Sequence, residues 1–195
     1  MEWLKRLIGS SATGGSQPTR RRITPDHPLV IESPRIGFFN LLDLSAESIL
    51  EEDKQAFRPL FAAIEESNVG PPACDVLMIY ARVEADGKIA GSADGLREII
   101  RQSGAAIVVV ASENDGKSYA AAGRSTGYGQ ANLVLTLKRK GIAFTQFFTQ
   151  LFSKMSKGKS MLAAWVELAP QIPGATHENC PESIFAAEIS HIVFQ

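Results

Sequence analysis

Cysteine and histidine are scarce in this chain. Its 195 residues carry two cysteines, Cys74 and Cys180, and three histidines, His27, His177 and His191. Two thiols so far apart cannot make a disulfide framework, and they read as buried thiols in a reducing compartment. The stretch His177-Glu-Asn-Cys180 has half of a metal spacing, but a structural zinc takes four ligands, so a surface loop is expected. No apolar run reaches the ~20 residues that span a bilayer. No apolar core follows the charged start in the manner of a secretory signal. Excess charge is missing too: the net value of -1 gives no overall pull toward nucleic acid or membrane. These absences predict a cytoplasmic protein, peripheral to a membrane at most, with no metal, no cofactor and no nucleic-acid partner.

What the chain does have is concentrated between Asp75 and Asn114, which reads DVLMIYARV, EADGKIAG, SADGLREIIRQSG and AAIVVVASEN. Val76 to Tyr80 and Ile107 to Val110 are continuous apolar runs, the pattern of strands buried on both faces of a mainly parallel sheet. Leu96, Ile99 and Ile100 share one helical face, and Gly104 closes that helix, so the segment is a βαβ unit. In such sheets functional groups gather past the carboxyl ends of the strands. Here those ends hold Arg82 on one strand, and Ser112, Glu113 and Asn114 on the next.

The remainder supports one α/β domain over 29–195. Ahead of it, residues 1–9 place Trp3, Leu4, Leu7 and Ile8 on one helical face and Lys5 and Arg6 on the other. Residues 10–28 are rich in Gly, Ser, Thr and Pro and predict a flexible linker. The short amphipathic segment then reads as a tether to a protein partner or a membrane surface. Ile36 to Leu42 predicts the first sheet strand, with Asp43 or Ser45 capping a helix. Pro59 splits that helical region into 45–53 and 54–67, the second with Phe57, Leu60, Phe61 and Ile64 as an apolar stripe. Asn132 to Leu137 predicts a strand, and Phe144 to Met155 an apolar helix. Gly158 ends that helix, and a second one, capped by Ser160, runs from Met161 to Ala169. The closing Ile192-Val-Phe194 can add one more strand.

Three constellations bear on chemistry. Ala111 to Ser118 fits the loose phosphate-loop pattern [AG]xxxxGK[ST] with Gly116, Lys117 and Ser118, and it follows a strand. Glu113 and Asp115 would repel a triphosphate, however, so nucleotide binding is the weaker alternative. Gly123 to Gly129 (GRSTGYG) lacks the spacing of a dinucleotide loop. Arg82 and Ser112 stand at the strand ends where a cysteine hydrolase needs a histidine and a thiol within reach of each other. An arginine is no base at neutral pH, and a serine without a base is inert. A guanidinium beside a hydroxyl instead suits a small anionic ligand, the equal alternative being that Arg82 only pairs with a nearby acid such as Glu84, Asp86, Glu113 or Asp115.

On these residues the chain from about Ile36 to Ala169 resembles the CHAT-type caspase-like domains. DVLMIYARV with its DG turn resembles the family's histidine strand, LREII its crossover helix, and AAIVVVASEN its cysteine strand. FTQFFTQLFSKMSKGKSMLAAWVELA is similar to its late helix pair. The resemblance implies a three-layer α/β sandwich around a mainly parallel sheet. With Arg82 for the histidine and Ser112 for the cysteine, it implies a degenerate member without peptidase activity. The expected function is a non-catalytic binding or scaffold module recruited through its tail, and the enzyme alternative is a hydrolase using Ser112 or another residue of that cleft.

Overall fold

The computed structural model describes residues 23–24, 26–42, 47–118, 131–139, 141–169, 181–189 and 191–195. The tail 1–9, the linker through residue 22, the Asp43 or Ser45 cap, the 123–129 tract and the His177-to-Cys180 loop lie outside them.

The centre is a six-stranded sheet. Its strands are β2 (Arg35–Asn40), β3 (Ala63–Ser67), β4 (Val76–Tyr80), β5 (Ile107–Val110), β6 (Asn132–Lys138) and β7 (Glu182–Ala186). They lie in the order β3-β2-β4-β5-β6-β7. All neighbours are parallel except β7, which pairs antiparallel with β6 across an irregularity between Thr136 and Lys138. The continuous apolar runs are buried on both faces, as the sequence predicts. Val76, Met78 and Tyr80 enter one core cluster, and Leu77 and Ile79 the other; Ile107 and Val109 oppose Val108 and Val110 in the same way.

Helices pack against both core clusters. Helix α2 (Leu96–Ser103) sets Leu96, Ile99 and Ile100 against one cluster. It ends at Gly104, where φ of +67° favours a residue without Cβ. The other cluster takes residues of α1 (Glu47–Phe57), α3 (Ile142–Met155) and α4 (Met161–Leu168). Ser160 caps α4, its hydroxyl accepting the Ala163 N–H at 3.3 Å. Phe57, Phe61, Phe148, Phe152 and Phe194 meet there in edge-on and stacked pairs with centroids 5.2–6.2 Å apart.

One sequence expectation is corrected. Residues 54–67 are not a second helix. Helix α1 runs unbroken to Phe57, a single 3-10 turn spans Arg58–Leu60, and Ala63–Ser67 is strand β3, parallel to β2. Pro59 offers no N–H and crowds the preceding turn, so the helix stops just before it. Phe57, Phe61 and Ile64 do reach one core, but from a helix, a turn and a strand. The strand expected at Ile192–Phe194 is present (β8), and it lies outside the main sheet. It pairs in parallel with β1 (Leu29–Ile31) as a separate two-stranded sheet, while the residues just before it supply β7. Ile23 packs against the core, and Thr24 and His27 exchange backbone hydrogen bonds, so ordered chain begins ahead of Leu29.

Candidate functional site

Because β2 to β6 are parallel, their carboxyl ends share one edge. The chain moves outward from β2 to β3, then crosses back to β4 on the other side of β2. The strand order therefore reverses between β2 and β4, the place where open α/β sheets hold their ligands. A pocket of about 310 Å³ opens at this edge. Leu42 comes to it from the end of β2 and Tyr80 from the end of β4. Ala111, Ser112 and Glu113 follow β5, Arg139 and Gly141 follow β6, and Ile49 and Glu52 lie on α1.

Arg82 and Ser112 do end adjacent strands on the same side, yet they are not brought into one cavity. Ser112 lines the pocket just described. Arg82 lines a second hollow of about 430 Å³ with Glu84, Asn114, Asp115 and Ser118, and among the described residues only Glu113 borders both. Arg82 is exposed and forms no ion pair among the described residues. The described lining of its hollow sets one guanidinium against the carboxylates of Glu84, Glu113 and Asp115, which weakens the pull on an anion there.

Asn114 has structural employment instead of a free amide. Its Oδ1 accepts the Val83 N–H at 2.8 Å, and its Nδ2 donates to the carbonyls of Ser112 at 2.9 Å and Thr136 at 3.0 Å. One side chain thus ties together the ends of β4, β5 and β6.

The phosphate-loop pattern is likewise occupied by the protein's own groups. Residues 116–118 are helical, and Asp115 Oδ1 accepts the Ser118 N–H at 2.7 Å. That bond, first among the causes, holds the Asp115 carboxyl below its ordinary range. A carboxylate already caps the amide that a phosphate would need, and Lys117 is exposed.

Beneath the Ser112 pocket lies a cluster that the sequence did not reveal. Asp53, wholly buried on α1, accepts from Thr145 Oγ1 on α3 at 2.5 Å, from Arg139 Nη2 at 2.8 Å and from the Tyr80 hydroxyl. Burial, and after it the charge of Asp53, pushes the Tyr80 phenol well above its ordinary range, so it stays protonated and donates. The Arg139 guanidinium lies over Phe144, with Cζ 4.0 Å from the ring centroid. Its Nε and Nη1, and the hydroxyl of buried Thr136, are the buried side-chain polar atoms left without a hydrogen-bond partner among the described residues. The three lie on residues 136 and 139, at the carboxyl end of β6. The one sequence signal was an aspartate on the buried face of α1, between Leu50 and Phe57.

Neither an imidazole nor a thiol lines the Ser112 pocket among the described residues. Cys74 precedes β4, at the opposite end of that strand. It packs so closely that a Cβ on Gly37 would lie 2.7 Å from its sulfur. Burial pushes its thiol up to about 12. The His191 carbonyl accepts the Leu29 N–H, and the nearby Ile189 backbone bonds Asn132 at the amino end of β6. His27 and His191 therefore belong to the two-stranded sheet side, away from Ser112. No cluster of three or more His, Cys, Asp or Glu residues suited to a metal occurs among the described residues. None of their helices is long and apolar enough to cross a membrane. Compared with known proteins, the chain matches no family model and no curated protein.

Proposed function

We propose that this chain is a non-catalytic binding or scaffold module of CHAT-type, caspase-like architecture, acting in the cytoplasm. On this reading the sheet lies between two helical layers, which the separate core clusters on its two faces support. The strands read as the family's histidine and cysteine strands, β4 and β5, are parallel neighbours at the middle of the sheet, as a dyad would require. The observation that carries the functional half is the setting of Ser112. It stands half-buried on the wall of a largely apolar pocket, with no imidazole or thiol beside it among the described residues. A hydroxyl so placed offers a hydrogen bond but not a nucleophile. The amphipathic segment with Trp3, Leu4, Leu7 and Ile8 is the recruiting element, for a protein partner or a membrane surface.

The test is incubation of the full chain with a broad peptide library, alongside labelling with cysteine-directed covalent inhibitors. The expected result is no cleavage and no adduct at this cleft. Robust hydrolysis that disappears in Ser112→Ala would make the cleft an active site and the chain a hydrolase.

A further inference from the structure

We draw no further inference here: the strongest candidate, the acidic hollow of about 450 Å³ that Glu47, Glu51 and Glu66 line beside the carboxyl ends of β2 and β3, has Glu51 and Glu66 already paired with Lys54, and nothing else among the described residues points to a ligand there.

Discussion

Asp53 and Arg139, 86 residues apart in sequence, meet at 2.8 Å where the carboxylate is wholly buried. Through them helix α1 is fastened to the carboxyl end of β6, and through Thr145 to α3. Asp53→Ala leaves a guanidinium, a phenol and a hydroxyl without their acceptor. Removing one partner of a buried pair costs ~3–5 kcal/mol, so the urea midpoint should fall steeply at an unchanged slope. Asp53→Asn keeps an acceptor oxygen and should lose less. A loss under ~1 kcal/mol for the alanine variant would mean that the cluster does not hold α1 in place.

Cys74 should be inert in the native protein. Its folded pKa is raised to about 12 from an ordinary 9.0, with burial the largest cause. A raised folded pKa gives stability that is complete below pH 9 and is lost as pH rises toward 12, because only the unfolded thiol ionises across that window. Peptide-level mass spectrometry after iodoacetamide at pH 8.5 should therefore find Cys74 unmodified until denaturant is added. Rapid native alkylation would show that the thiol is accessible and ionised.

Nucleotides should not stabilise the fold. A ligand at a hundred times its dissociation constant would add ~2.7 kcal/mol, easily seen as a melting shift. With Asp115 already on the Ser118 amide, ATP or GTP with magnesium should produce none. A clear shift that vanishes in Lys117→Ala would reverse this.

Truncation should separate tail from domain. Ile23 packs on the core and Thr24 and His27 bond each other, so removing residues 1–22 should leave the melting temperature nearly unchanged. Removing 1–28 should lower it by a few degrees, since ~1 kcal/mol shifts a domain of this size by ~2–4 °C. An equal drop from the shorter truncation would mean that Trp3 and Leu7 dock on the domain.

The parallel sheet was legible because Val76 to Tyr80 and Ile107 to Val110 are apolar without alternation, and few structures other than a doubly covered strand use such runs. Edge strands were not legible for the converse reason. Ala63–Ser67 is only half-buried and carries Glu65 and Glu66, which pair with Arg35 and Lys54, so its composition looks like a helix surface. The strand ends could be read from the sequence, and Ser112 does line a pocket there. Its floor could not. Asp53, Tyr80, Arg139 and Thr145 come from four separate elements or loops, and no local spacing records a cluster that only tertiary folding assembles.

Asn114 sets how this site can move. Its amide is engaged by the backbones of Val83 and Ser112, which follow β4 and β5, and of Thr136 within β6, so the strand ends form one tied ledge. The facing wall is tied as well, because α1, which carries Ile49 and Glu52, is held to the chain after β6 through Asp53 and Arg139. A ligand there would meet a site held in shape from both sides, so a change at Asn114 or Asp53 would reach it without touching it.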